Sequence, residues 1–109
     1  MDPNKVNEAD WKLFRSKLPG WQEKHMERLN GEYAALLAGD GKASEKFWAL
    51  EKRIRNDKQN VGVVARMSRS NMYFNLLALL GEGVIKPDDL DGFSEELREK
   101  LAFAIKNQD

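Results

Sequence analysis

At 109 residues, with no cysteine, one histidine and a formal net charge of zero, the chain has room for one hydrophobic core and none for disulfide or thiolate chemistry. An apolar content of 41% belongs to a folded domain rather than a disordered one. No run reaches the ~18 apolar residues of a membrane span, and MDPNKVNEADW is too polar to open a signal peptide, so a single cytoplasmic domain over 1–109 with no membrane partner is expected.

In chain order, Asn7 reads as an N-cap, with Glu8 and Asp10 in the first turn where carboxylates favour the helix dipole. The first helix is expected to reach about Lys17 and to bury Trp11, Phe14 and Leu18. Pro19-Gly20 predicts a break, after which a second helix runs to Leu37 with Met26, Leu29, Tyr33, Leu36 and Leu37 as its apolar stripe. Gly39-Asp40-Gly41 ends it. Ser44 is expected to cap a third helix, Glu45 to about Lys58, whose inner face is Phe47, Leu50 and Ile54. Trp48, Lys52 and Arg55 fall together on another side of that helix.

The longest apolar run, Val61–Leu80, predicts a central helix with one stripe at Val63, Met67, Ser70, Phe74 and Leu77 and a second at Met72, Leu76, Leu79 and Leu80. Gly81 and Gly83 stop it, Pro87–Leu90 reads as a single helical turn, and Ser94 caps a last helix, Glu95 to about Lys106, that buries Leu97, Leu101, Ala104 and Ile105. No strand pattern occurs. The expected fold is all-α, a compact bundle of four long helices plus one short helix around a central apolar helix at 61–80.

Charge is segregated along the chain. Residues 1–41 hold 6 basic and 7 acidic side chains, 42–69 hold 8 and 3, and 82–109 hold 4 and 8. Either the basic middle and the acidic tail neutralise each other, or the basic surface meets an acidic partner.

Patterns for catalysis or cofactors are absent from the sequence. His25 has no second histidine or cysteine to share a metal, and reads as a surface or boundary residue. The stretch before Gly41-Lys42 lacks both the leading glycine and the following Ser or Thr of a phosphate loop. In the acidic run Asp88–Gly92 a calcium loop would need ligands from Pro87 and Arg98. The expectation is a non-enzymatic protein with no cofactor or metal.

Two resemblances bear on function. The segment Met67–Ile85, MSRSNMYFNLLALLGEGVI, resembles the recognition helix of helix-turn-helix and winged-helix DNA-binding proteins; that resemblance implies nucleic-acid contacts from Arg66, Ser68, Arg69, Ser70, Asn71 and Tyr73. SEKFWALEKRI at 44–54, MSRSNM at 67–72, GVI at 83–85 and DLDGFSEELREKL at 89–101 together resemble a group of small helical proteins from Firmicute bacteria and their mobile elements, some of them labelled multidrug transporters. It implies a free-standing bacterial protein, carried by an integrative element or prophage, that acts on a larger machine in the manner of an anti-defence inhibitor. The leading expectation is therefore binding of a protein partner through Trp48, Lys52 and Arg55, with nucleic-acid binding as the alternative. Homo-oligomerisation is open as well, because the apolar and aromatic residues of Met72–Leu80 together with Trp11, Trp21 and Trp48 exceed what one small core is expected to cover.

Overall fold

The computed structural model describes residues 6–107. It is all-helical, with no strand among the described residues: four α-helices, α1 (Glu8–Ala38), α2 (Ala43–Asp57), α3 (Met72–Gly81) and α4 (Glu95–Lys106), and two short 3-10 turns at Arg69–Asn71 and Pro87–Leu90. The sequence-based expectation needs correction in three places.

The first is Pro19, which does not break the chain: α1 runs for 31 residues straight through it. Asn7 opens the helix as expected, its side-chain oxygen accepting from the Ala9 and Asp10 amides at 2.9 and 3.2 Å. An interior proline costs a helix about 3 kcal/mol, through the missing N–H and the clash with the carbonyl four residues back. Burial on both sides of it offsets that cost. Trp11, Phe14, Leu18, His25 and Leu29 are all buried and Trp21 is half-buried, at spacings of three and four that keep one phase across the Pro-Gly pair. Pro19 and Gly20 themselves face solvent.

Second, the apolar run Val61–Leu80 is not one helix. Only its latter part, from Met72, is α-helical, and α3 ends at Gly81. The β-branched residues Val61, Val63 and Val64 flank Gly62 in a stretch of low helix propensity, and tertiary hydrogen bonds take over its backbone. The Val61 and Gly62 amides donate to the Glu82 carboxylate at 3.2 and 3.3 Å, and the Val61 carbonyl accepts from the Gln22 side chain at 2.9 Å. Asn75, buried on α3, donates to the Arg66 carbonyl at 2.9 Å, holding the extended segment alongside the helix that was expected to contain it. Gly62 is buried against His25, so close that a Cβ there would lie 2.5 Å from the imidazole. His25 is therefore interior, not a boundary residue. Arg28 donates to its Nδ1 at 2.9 Å, while Nε2 has no hydrogen-bond partner among the described residues.

Third, α2 shows a different face to its neighbour. The half-buried residues are Lys46, Leu50, Arg53 and Asp57, whereas Phe47 and Ile54, expected inside, are exposed. Polar pairing sets this orientation. Arg53 bonds Glu32 at 2.8 Å and lies over the Tyr33 ring, Tyr33 donates to Asp57 at 2.5 Å, and Lys46 donates to the Leu37 and Gly39 carbonyls that α1 leaves unsatisfied. Desolvation, and then the hydrogen bond to Asp57, push the Tyr33 phenol up to about 12. Ser44 is not the cap of α2; Lys42 occupies that position, with no side-chain hydrogen bond.

These corrections change the architecture. The core consists of Trp11, Phe14 and Leu18 from α1, Met72, Leu76 and Leu79 from α3, Ile85, Leu90 and Phe93 from the connections, and Leu97 and Leu101 from α4. Ile105, expected inside, is exposed. The C-terminal part of α1 leaves this body and pairs with α2 as a helical hairpin. The molecule is accordingly long, 60 × 29 × 21 Å with a radius of gyration of 16.8 Å, where a compact chain of this length would have roughly 13 Å.

One tertiary cap ties the body together. The buried Asp10 carboxylate, expected only to favour its own helix, accepts from the Ser94 amide at 2.7 Å and the Ser94 hydroxyl at 2.6 Å. Ser94 in turn caps α4 through Leu97, as expected, so the start of α1 holds the start of α4.

Candidate functional site

Trp48, Lys52 and Arg55 lie on the side of α2 away from α1, and all three are exposed. No residue of α2 is fully buried. Trp48 is 64% exposed and Phe47 beside it 63%; their rings meet edge to face with centroids 5.0 Å apart. Arg55 pairs with Glu51 one turn back at 2.5 Å, both side chains being substantially exposed, and Lys52 has no acidic partner among the described residues. The cations share the aromatic face without lying over its rings. Such a face can hold an apolar side chain and an acidic group together. Phe47 and Ile54, which sequence spacing assigns to the core, belong to its apolar edge; the signal for that lay in the polar matches Glu32–Arg53 and Tyr33–Asp57 across the hairpin.

The residues of the helix-turn-helix resemblance fall on the connection before α3 and on its first turn. Ser68 precedes the 3-10 turn that holds Arg69, Ser70 and Asn71, and Tyr73 stands in the first turn of α3. Residues 58–71 separate α2 from α3, where a helix-turn-helix joins its two helices by three or four residues. Arg69 makes a two-point contact with Glu8, at 2.8 and 3.2 Å, and lies over the Trp11 ring at 5.6 Å. The hydrogen bond from Arg69 holds the Glu8 carboxyl below its usual range. Asn71 donates to the Ser68 hydroxyl, and Ser68 and Ser70 are within 3.3 Å of each other. Tyr73 is half-buried against the core. Arg66 is exposed, its carbonyl held by Asn75.

A second feature lies at the far end of α1, where the starts of α1 and α3 meet α4. An open groove of about 890 Å³ is lined by Met72, Phe74, Leu97 and Phe103, with Glu96 and Glu99 on its α4 side. Phe74 and Phe103 are 65% and 71% exposed.

Among the described residues no helix is long and apolar enough to cross a membrane, and no group of three or more His, Cys, Asp or Glu side chains could hold a metal ion. No family model, curated protein or solved structure matches the chain.

Proposed function

We propose that this is a non-enzymatic protein that works by binding another protein through the outer face of α2. The observation that carries this reading is a helix with no fully buried residue that presents two adjacent, mostly exposed aromatic rings on a projecting hairpin. Aromatic and arginine side chains supply most of the binding energy at protein interfaces, and a rigid helix presents them at small entropic cost. Trp48 is the anchor, Phe47 supports its edge, and Lys52 and Arg55 select a partner with an acidic rim. The resemblance to small proteins of mobile elements fits an accessory or inhibitor that acts by occupying a larger machine. Its test is capture of the partner by the wild-type protein, hydrogen-exchange mapping of the complex, and comparison with a Trp48→Ala, Lys52→Glu, Arg55→Glu variant. Protection of α2 in the complex and loss of capture by a still-helical variant are expected; undiminished capture refutes the assignment.

Nucleic-acid binding is the second reading, supported by exposed Arg66 together with Lys52 and Lys58. The pairing of Arg69 with Glu8 counts against it. A mobility shift that weakens steeply with salt and is lost on Arg66→Glu would favour it.

A further inference from the structure

Residues 42–69 carry a charge of +5 and residues 82–109 one of −4. The ion pairs among the described residues are Arg53 with Glu32 and Asp57, Arg55 with Glu51, and Arg69 with Glu8; none joins the two segments. Two aromatic surfaces are also left open: Phe47 and Trp48 on α2, and Phe74 of α3 with Phe103 of α4 at the groove. They lie at opposite ends of α1. Lys46, half a turn from Trp48, bonds the carbonyl of Leu37, whereas Asp10 lines the groove; the helix between Asp10 and Leu37 spans about 40 Å at 1.5 Å per residue. A chain cannot fill its own groove with its own hairpin.

We infer that the groove receives the outer face of α2 from a second copy of this chain, the aromatic pair of one copy seating between Phe74 and Phe103 of the other while Lys52 and Arg55 meet Glu96 and Glu99. This rests on the reading of that face as a docking surface and names one partner for it. Antiparallel alignment of two long molecules places each hairpin on the other's body, so the contact is made twice and the pair closes as a two-fold dimer. The charges are complementary. On the groove side Arg69 is already paired with Glu8, and Glu96, Glu99 and Lys100 share the α4 lining. The Phe47–Trp48 pair supplies apolar area that the body lacks at the groove, and water is excluded from four otherwise wetted rings.

Sedimentation of the full chain across a concentration series at low and moderate salt tests this with paired charge reversals. Lys52→Glu, Arg55→Glu leaves a copy acidic at both surfaces; Glu96→Lys, Glu99→Lys leaves one basic at both. Each alone is expected to dimerise about 100-fold more weakly than the wild type, and an equimolar mixture is expected to recover the dimer, because both contacts of the mixed pair are again opposite in charge. A Glu23→Lys, Glu27→Lys protein, altered on the exposed middle of α1, controls for net charge and should neither lose its own dimer nor rescue the acidic copy. A wild type that stays at 12.5 kDa throughout the series overturns the inference and leaves the docking face open to other proteins. A dimer indifferent to Trp48→Ala and to all four reversals overturns the inference and also the assignment of that face.

Discussion

A single methyl group on Gly62 examines the junction that fixes the hairpin to the body. An ideal Cβ at this position would stand 2.5 Å from His25 Cδ2 and 2.7 Å from Val84 Cγ2, about 1 Å inside ordinary contact on two sides. Neither neighbour can yield freely. His25 is buried and held by Arg28, Val84 packs on the core, and the Gly62 amide itself is tied to Glu82. Overpacking of this kind costs about 1–3 kcal/mol, and stretching the two amide bonds to Glu82 adds to it. For a domain of this size about 2 kcal/mol lowers the melting temperature by roughly 8–16 °C. Urea and thermal unfolding of Gly62→Ala, followed by circular dichroism, read the loss. His25→Ala in the same background removes the closer of the two clashes and leaves the one with Val84, so the pair should be less destabilised than the sum of the single changes by about 1 kcal/mol or more. A Gly62→Ala protein within about 0.5 kcal/mol of the wild type, or strict additivity with His25→Ala, would refute the packing described for this junction.

Asp10→Ala removes both acceptors of Ser94 and leaves a part-buried amide without a partner, for an expected loss of about 1–3 kcal/mol in urea unfolding although the two residues are 84 positions apart. Tyr33 must stay protonated in the folded hairpin, its phenol raised from 10.0 to about 12. Its contribution is therefore fully present below pH 10 and falls away as pH rises towards 12, and Tyr33→Phe should flatten that part of the stability profile. At concentrations where the chain is monomeric, Phe47→Ala with Trp48→Ala should shift stability by no more than about 0.5 kcal/mol, whereas Phe14→Ala, at a side chain with no exposed surface, should cost about 3–5 kcal/mol. Unfolding curves of the two proteins separate a docking face from a core.

Local chemistry was legible in the sequence where it acts locally. Asn7 and Ser94 cap helices through their own side chains, and Pro87–Leu90 makes its single turn within four residues. At Pro19 the local backbone penalty points to a break, whereas the phase of Trp11, Phe14, Leu18, Trp21, His25 and Leu29, continuous across it, is the signal that decides the element. The run at 61–80 is the opposite case. Its helical stripes are real from Met72 onward, but the bonds that draw Val61 and Gly62 into a turn come from Gln22 and Glu82, far away in sequence. At α2 the stripe of Trp48, Lys52 and Arg55 was readable from spacing. That Phe47 and Ile54 join the open side depends on Glu32 and Tyr33 across the hairpin, which no single-helix pattern reports. The groove end needed Asp10 to find Ser94, and that contact too is invisible in local periodicity.

The claim that the outer face of α2 is a docking surface is tested most directly by calorimetric titration of the captured partner with wild-type and Trp48→Ala protein. The account predicts at least a ~30-fold loss of affinity, the scale of a 2 kcal/mol interface anchor, with the melting temperature of the monomer unchanged. Equal affinity of the two proteins would contradict it.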